Sequence, residues 1–339
     1  MSIKPLAANR HFLTMNAPSI KTLLSSCFVI FAAAPAAGEP LALKLVDTDS
    51  AKLRIFQLRD DKGHGLDCLD VFQPAHDSSK SYYGVSHSLK KGAFSVHLSR
   101  SSDLKKWIHI RELDRHGSQA TVHKTENGAF LMAYEKDAPN SCWLRLRHYP
   151  DLTALTAGKF DREFDIPRSL APTAEGTPSF ENVEMKNGDL TQSKITLRFH
   201  AYENAQVDQL AKGTLTNFKN WKASPSPKIN TALKKLGGNG NLGDRSKFAW
   251  HNQTYYLQEV QGTRSDWGSW GIFLCDNDGF PLKRIAPITP GKSTAFSNPS
   301  VSALKDQKGN DLLVFTAFLH RKGSAPNEAG QMLLAFPVR

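Results

Sequence analysis

Polar side chains stand ahead of each of five β-rich segments of this chain. They are Gln73, Gln119, Thr177, Asp244 with Arg245, and Asn298. Carboxamides donate and accept hydrogen bonds, a carboxylate accepts and a guanidinium donates, so a cleft that gathers these groups suits a ligand rich in hydroxyls. The alternative is that they tie neighbouring strands together, since Asn-Pro is also ordinary turn chemistry. The choice depends on whether the fold brings these positions to one place.

The β-rich segments recur at a regular interval. They begin near residues 82, 130, 195, 255 and 312. A period of about 50 to 65 residues indicates stacked supersecondary units, and four short strands with their turns fill such a unit. We therefore expect an all-β fold, a five-bladed β-propeller of four-stranded antiparallel blades, in which the polar positions converge on the axis.

A second motif, in the latter half of the units, supports this repeat. An alternating strand and a polar turn are followed by a large apolar residue, as in Ser102-Asp103-Leu104 ahead of Trp107 and Asn217-Phe218 ahead of Trp221. Such a residue seals the gap between neighbouring blades, so we expect both tryptophans to be structural. The fifth unit ends at the C-terminus without an outermost strand. We expect an N-terminal strand, from the apolar runs near 41–58, to supply it and close the ring.

The N-terminus differs from the rest of the chain. Lys21 precedes a short apolar core and then the small residues of P-A-A-G. This pattern predicts a signal peptide over residues 1–38, a single propeller domain over 39–339, and a secreted or periplasmic protein without membrane attachment after cleavage. The stretch Leu24–Cys27 resembles a lipoprotein acylation box, but the apolar core continues past Cys27, which favours cleavage.

Charge and cysteine content limit the partners of the protein. The formal net charge is +11, with acids interspersed among the bases, so no nucleic-acid-binding stripe is indicated and we expect none. Cys68, Cys142 and Cys275 follow the signal segment without close spacing. One disulfide and three buried thiols are both compatible with that count. We expect a monomer.

The chain resembles the family 43 glycoside hydrolases and their five-bladed relatives, such as arabinanases and xylosidases. The resemblance rests on Tyr82-Tyr83, Ser102-Asp103-Leu104 with Trp107, Asn127-Gly128 ahead of F-L-M-A-Y, and Tyr255-Tyr256. It implies a carbohydrate ligand in an axial funnel into which three carboxylates project. One of them activates water, one tunes pKa and positions substrate, and one protonates the leaving oxygen.

The sequence departs from that family where the carboxylates should stand. Members commonly begin the first blade with Asp-Pro, whereas Gln73 precedes Pro74 here, and the next and last blades carry Gln119 and Asn298. The nearest match to the acid motif Glu-Gly-Pro is Glu175-Gly176-Thr177-Pro178, one blade early. At the blade where the acid is expected stands Asp244, which Arg245 should keep ionised.

Two functions follow from these departures. If the protein hydrolyses an oligo- or polysaccharide, we expect Asp244 to be the base or positioning carboxylate, Glu175 the acid, and Arg245 the group that orients Asp244. The alternative is a glycan- or partner-binding propeller that has lost its acid–base machinery, which the amides at Gln73 and Gln119 favour. A sialidase-like propeller is disfavoured because Ser102–Trp107 lacks the Gly-x-Thr portion of the Asp box.

Further polar and aromatic residues complete the expected site. The residues predicted to bind substrate are Gln73, His116, Gln119, Asn241, Arg245 and Asn298, and His76 belongs to the same group. Glu135 and Glu259 lie on strands that could carry them to the axis, and the loop with Arg264, Trp267 and Trp270 could stack on a sugar ring or pack between blades. No cofactor or metal is predicted. Relatives sometimes hold a central calcium, but His123, His148, His200 and His320 have no metal-ligand spacing.

Overall fold

The computed structural model describes residues 39–74, 79–203 and 207–338, with only the backbone described at Glu39, Glu203, Asp244 and Arg245. Residues 1–38 and His76 lie outside the described residues, so the signal peptide stays a prediction. Within this part of the chain, no helix has the length and apolar character needed to cross a membrane.

Short helices and turns of helix join and cover the sheets. They are α1 (Glu39–Val46), α2 (Leu152–Ala157), α3 (Pro227–Lys235) and the 3₁₀ turns Thr48–Ser50, Lys186–Gly188, Leu190–Gln192 and Trp267–Ser269. The strands are β1 (Leu53–Ile55), β2 (Asp67–Phe72), β3 (Tyr82–Lys90), β4 (Ala93–Ser101), β5 (Ile108–Arg115), β6 (Gly117–Lys124), β7 (Phe130–Ala138), β8 (Ser141–Tyr149), β9 (Arg162–Asp165), β10 (Glu175–Met185), β11 (Ser193–Glu203), β12 (Val207–Thr216), β13 (Asn220–Pro225), β14 (Leu242–Trp250), β15 (Gln253–Gln261), β16 (Trp270–Cys275), β17 (Pro281–Ile285), β18 (Phe296–Lys305), β19 (Asp311–Leu319) and β20 (Gly330–Pro337).

The strands of the described residues form five antiparallel four-stranded blades, which confirms the predicted fold class. Their orders are β2-β3-β4-β5, β6-β7-β8-β9, β10-β11-β12-β13, β14-β15-β16-β17 and β18-β19-β20-β1. The first strands of the blades, β2, β6, β10, β14 and β18, contact one another in a ring and therefore surround the axis. In an up-and-down blade the polypeptide runs outward from the axis, so each blade ends at the rim.

The fifth blade is closed by an N-terminal strand, as expected. Leu53–Ile55 pairs antiparallel with β20, with Leu53 opposite Ala335. The run that precedes it, however, forms helix α1 rather than a strand. Leu41, Ala42 and Leu45 are all buried, and their spacing places them on one helical face, which packs on the apolar surfaces of blades four and five.

Each axial strand carries a β-bulge close to its start. The pairing register shifts between Asp67 and Asp70, Ser118 and Thr121, Gly176 and Ser179, Asp244 and Ser246, and Ser297 and Ser300. Cys68, Gln119, Thr177 and Asn298 have φ values of 56°, 56°, 50° and 48° at these bulges. A bulge leaves its residue outside the ladder of strand hydrogen bonds, so its amide is available to a group from elsewhere.

The apolar core lies between the blades, and both tryptophans of the second motif belong to it. Trp107 is buried between blades one and five, and its Nε1 donates to Leu104 O at 3.0 Å. Trp221 packs beside Phe199 in blade three, with ring centroids 5.8 Å apart. Cys68, Cys142 and Cys275 are buried and are not joined by a disulfide, so the bridge that the sequence left open is not formed.

Candidate functional site

A cavity of about 390 Å³ opens at the end of the axis where the first strands of four blades begin. Its polar lining comes from Gln119, Glu135, Thr177, His200, Tyr202, Asp208, Asn241, Glu259, Ser297, Asn298 and His320. Trp267 and Trp270 form an aromatic part of the wall. The cavity therefore gathers carboxylates, amides, imidazoles and indoles at one point, whereas blade one contributes none of the lining residues.

Side chains of the second strands hold the bulges of the next blade. His87 Nδ1 accepts from Gln119 N at 3.1 Å, and Glu135 Oε2 accepts from Thr177 N at 3.1 Å. Glu259 Oε2 accepts from Asn298 N in the same way. This repeated contact satisfies the amide that each bulge leaves unpaired. It also carries Glu135 and Glu259 to the axis, which confirms the placement that the sequence left open.

Two glycines allow the carboxylates to approach the backbone so closely. A Cβ at residue 176 would overlap Glu135 Oε2 and lie 3.0 Å from His200 Nε2. A Cβ at residue 243 would overlap Glu259 Oε1. Gly176 and Gly243 directly precede the bulges of blades three and four, so the absence of a side chain there is part of the site's construction.

Glu135 belongs to a cluster with Asp137 and Cys142 beside the cavity. One ligand-type atom of each residue lies within 4.8 Å of the others. Burial, followed by the charge of Glu135 and a hydrogen bond with it, raises the pKa of Asp137 to about 7. Burial also raises the pKa of the Cys142 thiol. Asp137 therefore retains a proton in part at neutral pH, as a proton donor requires.

The pKa of Asp137 predicts how stability depends on pH. Its folded-state pKa of about 7 exceeds its ordinary value of 3.8, so its contribution is fully present below about pH 4 and is lost as pH rises through 7. In Asp137→Asn we expect this loss to be smaller by on the order of 1–2 kcal/mol, after allowance for solvent screening. Urea denaturation at pH 5, 6, 7 and 8 measures it. Burial also raises the pKa of Asp67 to about 6, so the free energy of unfolding of Asp137→Asn should still decrease somewhat as pH rises. If the free energy of unfolding decreases equally with pH in wild type and in Asp137→Asn, the raised pKa of Asp137 is contradicted.

The aromatic wall divides into a packed part and an exposed part. Trp270 is buried and lies 6.1 Å from the His320 ring, with the two planes within 21°. His320 is bonded to Ser297 Oγ through Nε2 at 2.7 Å, and burial lowers its pKa to about 4. Trp267, in contrast, is 58% exposed although it lines the cavity. Of the two tryptophans, Trp267 alone keeps a largely exposed indole at the site, and its ring lies 5.3 Å from that of His320.

Three of the predicted binding residues lie together at this cavity. Gln119 lines it from blade two, Asn241 from the start of blade four, and Asn298 from blade five. Asn241 Oδ1 accepts from Asp208 N at 3.1 Å, and Asn298 Nδ2 donates to Ser297 Oγ at 3.3 Å. Asp244 and Arg245 lie at the bulge of β14, the corresponding position of blade four. Their side chains are outside the description, so their roles stay predictions.

Gln73 lies elsewhere. It follows β2 and lines a cavity of about 560 Å³ at the opposite end of the axial strands. Its Oε1 accepts from Lys305 N at 2.8 Å and its Nε2 donates to Lys305 O at 3.0 Å, so it ties blade one to blade five. The residue equivalent to Gln119 in blade one is Cys68, whose N donates to Gln331 Oε1 at 2.9 Å. In the sequence, Gln73-Pro74 resembles the start of a strand, whereas in the structure it directly follows the end of β2.

Glu175 and His116 also differ from expectation. Glu175 is 1% exposed, and its Oε1 accepts from the amides of Ser169, Leu170 and Ala171 at 2.7, 2.6 and 3.1 Å. Its carboxylate anchors that loop and does not line the axial cavity, which removes the support for an acid role. His116 is exposed and lines a neighbouring cavity of about 750 Å³, which shares Gln119 and Glu135 with the axial one.

Several residues of the site were not predicted from the sequence. Tyr202 and Asp208 line the cavity and His87 holds the bulge at Gln119, yet none of the three was singled out, and His200 and His320 were considered only for metal spacing. His87, Glu135, His200 and Glu259 occupy one position, opposite the residue that precedes the bulge. Aligning the second strands of the blades, rather than the first, would have found these four together.

Comparisons with known proteins extend the fold assignment. No family model and no curated protein matches the chain. An arabinanase of Bacillus subtilis is similar at a TM-score of 0.51 and 12% identity, over 84% of this chain and 97% of that one. An α-L-arabinofuranosidase of Podospora anserina, in complex with cellotriose, has a TM-score of 0.50 and 10% identity, over 83% and 93%. A β-1,2-mannobiose phosphorylase of Listeria innocua, in complex with β-1,2-mannobiose, has a TM-score of 0.50 and 10% identity, over 81% of this chain and 90% of that one. The chain therefore shares its five-bladed propeller fold with carbohydrate-active enzymes, as the resemblance to family 43 glycoside hydrolases implied.

Proposed function

We propose that this protein binds an oligo- or polysaccharide in the axial cavity. The observation that carries the proposal is the exposed indole of Trp267 beside the carboxylates and amides of that cavity. The C–H face of a sugar ring packs on an indole, while its hydroxyls need donors and acceptors around the rim. The described lining supplies both kinds of group, and three structures with the same fold carry names or ligands from carbohydrate chemistry.

Replacing Trp267 with alanine tests the proposal directly. Because Trp267 is largely exposed, its truncation should leave stability within about 0.5 kcal/mol of wild type. It should nevertheless weaken glycan binding by roughly 10- to 30-fold, as expected when a stacking anchor worth about 1.4–2 kcal/mol is lost. Calorimetry and thermal shift with arabinan, xylan, galactan and uronate-containing oligosaccharides measure both quantities.

The matched control is Trp143→Ala. Trp143 lines a separate cavity in blade two, where its Nε1 donates to Asp165 at 2.9 Å. Its loss should leave glycan affinity unchanged. Equal affinities for wild type, Trp267→Ala and Trp143→Ala would remove the axial cavity from the binding function, and no binding to any of the panel would remove the function.

Hydrolysis is a second candidate function of the same site, and the protonated character of Asp137 favours it. Asp137 lines the neighbouring cavity of about 750 Å³, which shares Glu135 with the axial one, and it would donate a proton to a leaving oxygen placed between the two cavities. The two carboxyl groups share a hydrogen bond, which places them closer together than the ~5 Å of retaining glycosidases and the 6.5–9.5 Å of inverting ones, so the pair would act as one proton donor and a separate base is needed. Reducing-end release from the same panel, lost in Asp137→Asn, would support turnover. The role of Asp244 as base or positioning carboxylate is tested by Asp244→Asn in the same assay.

We also propose that the protein is exported, since glycans of this kind are met outside the cytoplasm and residues 1–38 have the pattern of a signal peptide. N-terminal sequencing of the protein from its own cells identifies the mature end. An intact N-terminus on the functional protein would contradict export by this signal.

A further inference from the structure

Three histidines converge in blade one, away from the axial cavity. His64 lies in the loop that follows β1, His97 in β4 and His109 at the start of β5. One ring nitrogen of each lies within 4.8 Å of the others, and His97 Nδ1 is 3.2 Å from His109 Nε2. The three pairs of ring centroids are separated by 4.8, 5.0 and 5.2 Å. The cluster is therefore nearly equilateral.

This spacing matches the geometry of imidazoles around one tetrahedral ion. With Zn–N bonds of about 2.0–2.1 Å, two nitrogen ligands of a tetrahedral site lie about 3.3–3.4 Å apart. The ring centre lies a further ~1.1 Å beyond each nitrogen, so the centroids of the bound rings should be about 5 Å apart. The nitrogen separation of His97 and His109 and the three centroid separations agree with these values. The contact between His97 and His109 also suits a hydrogen bond, and the planes of the His64 and His97 rings lie within 14° of each other.

Hydrogen bonds from neighbouring side chains orient two of the three imidazole rings as metal binding requires. Asp60, whose side chain is fully buried, contacts His64 Nδ1 through Oδ2 at 2.9 Å. With Nδ1 donating to this carboxylate, Nε2 of His64 keeps its lone pair. Ser88 Oγ lies 2.9 Å from His97 Nε2, so His97 can present Nδ1 to the cluster in the same way. Metal-bound histidines usually donate their second nitrogen to such partners.

We propose that His64, His97 and His109 bind a divalent transition metal, for which zinc is the best fit. Three neutral imidazoles suit zinc, and neither the ligand type nor the number suits calcium or magnesium. Asp60 supplies the negative charge next to the site. His64 and His109 are both partly exposed, so a solvent molecule has access to the fourth position. The spacing of these residues along the chain, 64, 97 and 109, lacks the closely spaced ligand pairs of common zinc motifs, so no zinc site could be predicted from it.

A metal bound at this site would stabilise the closed ring of blades. The loop between β1 and β2 already contacts blade one, where Asp61 N donates to Trp107 O at 2.9 Å and Asp61 Oδ1 accepts from His109 N at 2.8 Å. A metal shared by His64, His97 and His109 joins this loop to the third and fourth strands of the blade. Because such a site exists only in the folded chain, binding of the metal stabilises the fold.

Metal content and thermal stability test the proposal. The purified chain, without a polyhistidine tag, is treated with a chelator, incubated with zinc sulfate and freed of excess metal. We expect about one zinc per chain, a higher melting temperature than the chelated protein, and three nitrogen scatterers at about 2.0 Å by X-ray absorption. His109→Gln should bind zinc at least 100-fold more weakly, and Asp60→Asn about 10- to 100-fold more weakly.

His251→Gln is the matched control, since His251 is exposed and contacts Trp250 rather than the cluster. It should retain zinc as wild type does. Zinc absent from wild type at micromolar concentration, or retained equally by His109→Gln, would overturn the proposal. If His109→Gln does not fold, the comparison of chelated and zinc-loaded wild type still decides, because an unchanged melting temperature and a substoichiometric metal content would refute it.

Discussion

Gly176→Ala should reduce glycan affinity at least tenfold and lower the free energy of unfolding by about 2–4 kcal/mol. A Cβ at this position would overlap Glu135 Oε2. The carboxylate would have to leave Thr177 N, whose buried amide would then lose its acceptor. Because Glu135 lines the axial cavity, the same displacement rearranges the binding surface. Affinity for whichever glycan binds the wild type, together with urea denaturation, measures the two effects.

A control and a double-mutant cycle separate this mechanism from general disruption. In Gly271→Ala the new Cβ would lie 3.2 Å from Arg284 Nε, at the flexible end of a side chain, so it should cost less than about 1 kcal/mol. If Gly176→Ala acts through Glu135, adding it to Glu135→Ala should cost far less than it does alone. Additive losses, or a Gly176→Ala variant no worse than Gly271→Ala, would contradict the proposed construction of the site.

The fold was predictable because its signals are local. Alternating segments separated by turn residues indicate blades independently of one another, and the tryptophans after the polar turns of blades one and three mark the approach of the outermost strand. The buried role of Trp107 and a closing strand within residues 41–58 were therefore predictable from the sequence, and the structure places that strand at Leu53–Ile55. The segment with Leu41, Ala42 and Leu45 was ambiguous, because a short apolar run has no clear period until its partner surface is known.

The site was only partly predictable, because contacts between blades decide it. Cys68 lies near the start of β2 and Gln73 directly after its end, and no local signal shows which of them stands at the bulge. Glu175 sits in a sequence that resembles an acid motif, yet three amides of its own loop take up its carboxylate oxygen. Glu135 reaches the axis through its bond to Thr177 in the next blade. Thr177 lies 42 residues from Glu135 along the chain, a separation at which periodicity gives no information.

Trp107→Ala should lower the free energy of unfolding by about 3–5 kcal/mol, because it removes a buried aromatic side chain and leaves a cavity. Trp107 is 2% exposed and packs with Leu69 against Gly84, where a Cβ would already lie 3.0 Å from the indole Cζ3. It also contributes to the cluster that joins blades one and five, the point at which the ring closes. The side chains around it are fixed by two blades at once, so they should collapse little into the space.

Urea denaturation of Trp107→Ala, Trp107→Phe and Trp267→Ala measures this role. Trp107→Phe keeps most of the apolar volume but loses the bond to Leu104 O, so we expect an intermediate loss of about 1–2 kcal/mol. Trp267→Ala removes the same side chain from an exposed position and should cost little. If the variants at 107 and 267 lose equal stability, the seam between blades one and five does not depend on Trp107. A large loss confined to position 107 instead makes this seam a main determinant of the closed ring, because opening it would expose the apolar cluster that blades one and five share.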